Sequence, residues 1–182
     1  MAKNKVILGF TGLIACGKGT AAKYFKDKYN ADTFRFSTML RDVLDRLYLP
    51  QSRENFQILS PLLRETFGQD IMAKVIAEDV KKSKADIIVI DGMRRPADIE
   101  YLRNVPGFRM VAIDVDMRTR YERLVKRGEN TDDTSKTFEQ FQKEHEAETE
   151  IYIPELMKQA DVTIDNNGSV EDFYKQLDKL IK

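Results

Sequence analysis

Cysteine and histidine are almost absent. One of each, Cys16 and His145, in 182 residues leaves no internal disulfide and too few soft ligands for a tetrahedral zinc site. A reducing, cytoplasmic setting is therefore expected. Neither sign of charge is in excess, 30 Lys and Arg standing against 30 Asp and Glu, so bulk electrostatics point to no nucleic-acid partner. No run reaches the roughly 18 to 20 apolar residues of a membrane span, and the opening MAKNKVILGFTGLIACGKG has no helical apolar segment closed by a cleavage site. A soluble, unprocessed chain with no membrane partner is expected, monomeric or a small homo-oligomer. What is present suffices for a core, since 42% of the residues are apolar. With no linker, repeat or low-complexity tract visible, residues 1–182 read as a single domain.

Short apolar runs alternate with longer amphipathic stretches, the pattern of a parallel sheet flanked by helices. Strands are expected at Val6 to Phe10, Thr33 to Phe36, Asp86 to Asp91, Arg109 to Val115 and Val162 to Ile164. Met39, Leu40, Val43, Leu44 and Leu47 make one apolar stripe of a helix from Thr38 to Leu47. Glu54 to Lys82 reads as two helices, broken near Gly68 and entered at Ser or Pro positions. Lying between the second and third strands, the segment 38–82 is expected to stand above the sheet as an inserted arm. Short helices follow at Pro96 to Arg103 and Arg118 to Arg127, then a polar connection from Gly128 to Lys136. Thr137 with Gln140 forms a capping box for a charged helix that restarts at Pro154, and Ser169 opens a closing helix.

Chemistry concentrates after the first strand. Gly12-Leu13-Ile14-Ala15-Cys16-Gly17-Lys18-Gly19-Thr20 carries two glycines five apart followed by lysine, between a strand and a helix. Gly12 and Gly17 allow the turns that aim successive N–H groups inward, and the helix start adds partial positive charge. Ala15, Cys16 and Gly19 belong to the same cradle. Lys18 reaches the β- and γ-phosphates of a nucleotide as a point charge, and Thr20 offers a hydroxyl to phosphate or to the magnesium shell. Gly19 stands where many such loops place a hydroxyl on magnesium, so that ligand moves by one position. Cys16 reads as a small filler of the loop or as a reactive thiol, and the first reading is preferred. Asp91, closing a central strand, faces the crevice where magnesium is held.

Three segments together resemble the adenylate-kinase-like branch of P-loop kinases. Gly17-Lys18-Gly19-Thr20 has the ending of its phosphate loop. Ser37-Thr38-Met39-Leu40-Arg41 resembles its acceptor-binding segment, and Asp91-Gly92-Met93-Arg94-Arg95-Pro96 resembles its DGxPR segment, with Arg95 at the arginine position. The second half is similar to dephospho-coenzyme-A kinases and to deoxynucleoside or archaeal nucleotide kinases. Arg123-Leu124-Val125-Lys126-Arg127-Gly128 resembles their short arginine lid, and the segment from Ala160 through Asn167 to Ser169 resembles their adenine-side loop. The loop proline and the long β-type lid of adenylate kinases are absent, and Glu144, Glu146, Glu148 and Glu150 stand where arginines would follow that lid.

The resemblance implies a three-layer α/β/α P-loop NTPase domain whose five-stranded parallel sheet runs 2-3-1-4-5, with a helical acceptor arm over about 38–82 and a short helical lid over about 118–136. It implies a kinase that uses ATP and Mg2+, with Asn167 beside the adenine and Ser37, Arg41, Arg64, Arg94 and Arg95 around a small-molecule nucleotide acceptor. The residues support this independently, because phosphoryl transfer needs positive charge gathered around a dispersed anion. Lys18, Arg95, Arg123 and Arg127 are the expected catalytic cations, Thr20 and Asp91 the expected magnesium contacts. Arg120 is expected to be a solvated charge. His145 and Lys81-Lys82-Ser83-Lys84 read as solvated, and Asp42 either assists an acceptor or pairs with a nearby cation. The expected reaction moves the γ-phosphoryl group of MgATP to a nucleoside or deoxynucleoside monophosphate. A dephospho-coenzyme-A hydroxyl, which would need a base, is the alternative acceptor, and a nucleotide-gated binding protein is the alternative class.

Overall fold

The computed structural model describes residues 5–127, 133–144 and 151–181. Five parallel strands form one sheet: β1 (Val6–Thr11), β2 (Asp32–Arg35), β3 (Ile87–Asp91), β4 (Phe108–Asp114) and β5 (Val162–Asp165), in the order β2-β3-β1-β4-β5. Alternation along the strands divides the core between two faces. Leu8, Phe10, Val89, Val111 and Ile113 point to one side and bury Ala21, Ala22 and Phe25 of α1 (Lys18–Tyr29) and Phe173 and Leu177 of α9 (Val170–Lys179). Ile7, Ile88, Ile90 and Met110 point to the other. The expected three-layer α/β/α fold and strand order are both present.

The second face is covered by α2 (Phe36–Arg46), α4 (Ile71–Lys82), α5 (Pro96–Leu102) and α8 (Ile153–Lys158), through Phe36, Leu40, Met72, Ile76, Ile99 and Leu156. Two boundaries differ from expectation. Phe36 opens α2 instead of closing β2, because its ring shares a stripe with Leu40 and Leu44 and is buried with them. Arg35 is the last extended residue before it. The break near Gly68 is where it was expected: the helix α3 (Arg53–Phe67) is entered at Ser52, whose side chain accepts from the N–H of Asn55, carries Pro61 inside it and ends at Gly68, whereas α4 is entered at Asp70 and not at a Ser or Pro.

The segment expected to rise above the sheet divides physically. α4 lies on the sheet with Met72, Ala73, Ile76, Ala77 and Val80 buried, whereas α3 exposes Ile58 and Leu62 and reaches the core through the partly buried Phe56, Leu59 and Leu63. Farther along, α6 (Met117–Arg127) precedes a 3-10 turn, Asp133–Ser135, and α7 (Phe138–Glu144). The capping box is formed, Thr137 N–H donating to Gln140 and Gln140 N–H to the Thr137 hydroxyl. Tyr121 of α6 donates to the Lys136 carbonyl and packs its ring on Phe138 and Phe141, which folds this segment back on α6. Residues 128–132 of the expected lid, and His145, Glu146, Glu148 and Glu150, lie outside the described residues. No helix among the described residues is long and apolar enough to cross a membrane.

Candidate functional site

The loop after β1 has the geometry its glycines permit. Gly12 and Gly17 take φ of 149° and 109°, and a Cβ on Gly12 would come within 2.8 Å of the Ile113 carbonyl oxygen. Ala15 also adopts the left-handed region, at φ 61°, a conformation that costs a non-glycine residue about 1 to 3 kcal/mol and persists where surroundings impose it. No side chain caps the first turn of α1 and no acidic residue lies in it, so its N–H groups and the partial positive charge stay available to an anion. Lys18 curls over the loop, Nζ donating to the carbonyls of Gly12 at 2.6 Å and Leu13 at 3.2 Å. Cys16 is wholly buried beneath, 3.6 Å from the same ammonium, which is the position of a small core filler.

Two residues hold this loop from below, Asn166, given no role in the sequence, and Arg120, expected there to be solvated. Asn166 is buried and its amide donates to the Cys16 carbonyl at 2.9 Å, while its own N–H donates to Asp114. Asn167, the residue the resemblance selected, is exposed and turned to Asp165 and to the N–H of Asp116. Arg120 is 2% exposed, not solvated: Nε donates to the Val115 carbonyl, Nη1 to that of Ile14 at 3.3 Å, and the guanidinium lies over Phe141. Its spacing from Leu124, one turn later on the buried stripe of α6, was the available signal. Replacing Asn166 by Ala orphans a buried carbonyl, a loss of about 1 to 3 kcal/mol. A lower thermal midpoint and weaker nucleotide binding are expected together, read by thermal unfolding with and without ADP.

Asp91 ends β3 opposite Phe10 of β1, on the sheet face that α1 covers. One carboxylate oxygen lies 3.8 Å from Arg35 Nε, and the other, Oδ1, is buried without a hydrogen-bond partner among the described residues. Thr11 Oγ1, Arg64 Nε and Arg123 Nη1 are the other buried polar atoms in that condition. Buried polar groups are otherwise nearly always paired. An unpaired carboxylate oxygen at the strand end suits a cation. No group of three or more His, Cys, Asp or Glu able to hold a metal occurs among the described residues. Thr20, the other expected contact, is exposed and borders a groove of about 420 Å³ with Lys23, Tyr24, Asp27, Lys28 and Tyr174. Gly19 has open space where a side chain would be.

The expected acceptor residues fall on two elements and a turn. Ser37 and Arg41 stand one helical turn apart on α2, and Arg41 is exposed, donating to Gln51 Oε1 at 2.5 Å and stacking over Phe56. Arg94 is exposed and Arg95 half-buried in the turn between β3 and α5. Arg64 is placed differently: it is 5% exposed, with its guanidinium on Asp98 and on the Gln69 carbonyl. In α6, Arg123 is partly buried and Arg127 exposed in the last turn. Arg35, at the same strand edge as Asp91, is a cation the sequence reading missed; its place just before Ser37 marked it as a strand-end residue.

Residues 11–142 match the family described as AAA domain. The chain is 30% identical to the UPF0200 protein of Sulfurisphaera tokodaii over 178 residues, covering 97% of this chain and 96% of that one. It is 30% identical to the UPF0200 protein of Methanocaldococcus jannaschii over 181 residues, covering 97% and 89%. Among solved structures, shikimate kinase from Acinetobacter baumannii in complex with shikimate superposes with a TM-score of 0.59 at 12% identity over 98% of this chain and 94% of that one. A Thermus thermophilus protein reaches 0.63 at 17% identity over 98% and 97%. At such identities the likeness is one of fold.

Proposed function

The chain belongs to the AAA-domain family and to the UPF0200 proteins, and on that premise we propose that it is an ATP-dependent phosphotransferase whose acceptor is a nucleoside or deoxynucleoside 5'-monophosphate. The supporting observation is the placement of the phosphate loop and the Asp91–Arg95 turn. They leave the neighbouring parallel strands β1 and β3 at one edge, with Phe10 opposite Asp91. A donor phosphate chain on the loop and an anionic acceptor near Arg94 and Arg95 would share that edge.

In this reading the loop N–H groups and Lys18 grip the β- and γ-phosphates, and Asp91 would hold magnesium, which would supply charge neutralisation to the phosphate oxygens. Arg95 and Arg41 orient the acceptor. Arg123 and Arg127 from α6 add positive charge where it develops on the transferred group. The bond from γ-phosphorus to the bridging oxygen breaks, a bond from an acceptor phosphate oxygen forms, and ADP leaves. An acceptor phosphate is already anionic, so no base is required. A hydroxyl acceptor would require one; Asp98 is bound by Arg64 and Asp45 by Gln51, which leaves Asp42, exposed on α2, as the carboxylate for that alternative.

The test is ADP release measured over a panel of nucleoside and deoxynucleoside monophosphates and dephospho-coenzyme A. One or a few monophosphates should raise the rate far above the ATP-only background. A rate left at background by the whole panel would favour a nucleotide-gated binding protein instead.

A further inference from the structure

A buried ion pair joins α3 to the arginine turn. Arg64 and Asp98 are 5% and 1% exposed, and Arg64 Nη2 donates to Asp98 Oδ1 at 2.9 Å. Nη1 donates to the Gln69 carbonyl, while Nε finds no partner among the described residues. The other carboxylate oxygen, Oδ2, accepts long hydrogen bonds from the backbone N–H groups of Arg94 at 3.4 Å and Arg95 at 3.3 Å. Burial pushes the Asp98 carboxyl above its usual range, and Arg64 and the two N–H groups oppose that rise.

Stability alone is a poor account of this pair. Taking both charges out of water is costly, and apolar residues of similar volume commonly serve a core as well or better. The unpaired Nε makes the exchange less favourable still. What apolar residues cannot do is hold two consecutive N–H groups. Asp98 lies in the first turn of α5 and meets the backbone of the two residues offered to the acceptor. Arg64 brings the compensating charge from α3, whose start adjoins Gln51, the partner of Arg41.

We propose that Arg64 and Asp98 are positioning residues that lock the Arg94–Arg95 turn to α3, so that the arginines of the turn and Arg41 meet an acceptor phosphate as one rigid wall. What the wall holds rests on the phosphotransfer reading; the locking does not.

The probe is inorganic phosphate, titrated with the loop after β1 saturated by MgADP and followed through the side-chain Nε–H resonances of Arg94 and Arg95. In the unaltered protein these resonances should shift at millimolar phosphate. The double variant Arg64→Met with Asp98→Leu should keep its thermal midpoint within a few degrees yet need at least about tenfold more phosphate for the same shift, an effect that a purely structural pair would not produce. An unchanged phosphate dependence, or no response in the unaltered protein, overturns the proposal. Should the double variant not fold, Asp98→Asn answers instead. Its amide can still accept from Arg64 but turns a donor toward the two N–H groups, so amide exchange at Arg94 and Arg95 should accelerate while the sheet stays protected. Unaltered exchange there overturns the proposal equally. Failure of MgADP to bind would count against the phosphotransfer reading and leave the amide-exchange readout at the turn intact.

Discussion

Lys18→Ala is expected to lower acceptor-dependent ADP release by about a hundred- to a thousand-fold, the usual loss when one positioned donor is removed from developing charge. The fold should survive. Lys18 is only partly buried, and its ammonium bonds to the carbonyls of Gly12 and Leu13, which retain the loop geometry set by the two glycines. The thermal midpoint should thus move little, while the stabilisation that ADP confers on the unaltered protein should shrink. Lys18→Arg should not restore the rate, since a planar fork cannot stand in for a compact point charge in a cradle built of backbone. A variant that binds and turns over normally would place the triphosphate somewhere other than this loop.

Asp91→Asn is the second large effect, and its sign depends on magnesium. The amide keeps the shape of a group whose Oδ1 is buried and unpaired, but removes the charge that would hold the metal. The magnesium concentration for half-maximal rate should rise about ten- to a hundred-fold, the range seen when a group that supports a bound metal is lost. Without magnesium the order reverses. Asp91 then repels a triphosphate bound to the neighbouring loop, so the variant should bind ATP as well as or better than the unaltered protein. Calorimetry with and without magnesium separates these outcomes, and identical magnesium dependence in both proteins would remove Asp91 from the metal site.

The centre of the sheet was legible because β1, β3 and β4 are short buried apolar runs and the covering helices carry apolar stripes, so the period separates them. Phe36 shows where that signal ends. A phenylalanine between Arg35 and Ser37 fits the end of a strand as well as the first turn of a helix, and only its burial with Leu40 and Leu44 decides. The loop was legible for a different reason: glycines and lysine at fixed spacing report backbone geometry and charge directly. Asn166 and Arg120 were not, because each reaches a backbone carbonyl far away in sequence, and Cys16 and Ile14 give no sign of needing a partner; Asp98 was not, because the cation that pairs with it, Arg64, comes from another helix. Arg64 marks the opposite error. Its charge and place in the arm suggested an acceptor contact, and its burial on Asp98 assigns that charge to the interior.

Phosphorus NMR of the protein with MgATP and a monophosphate selected by the panel tests the account most directly. It predicts that the γ-phosphate signal is replaced by the β-phosphate signal of a new nucleoside diphosphate, in step with ADP. Orthophosphate appearing in place of that signal, at a rate indifferent to the monophosphate, would contradict it.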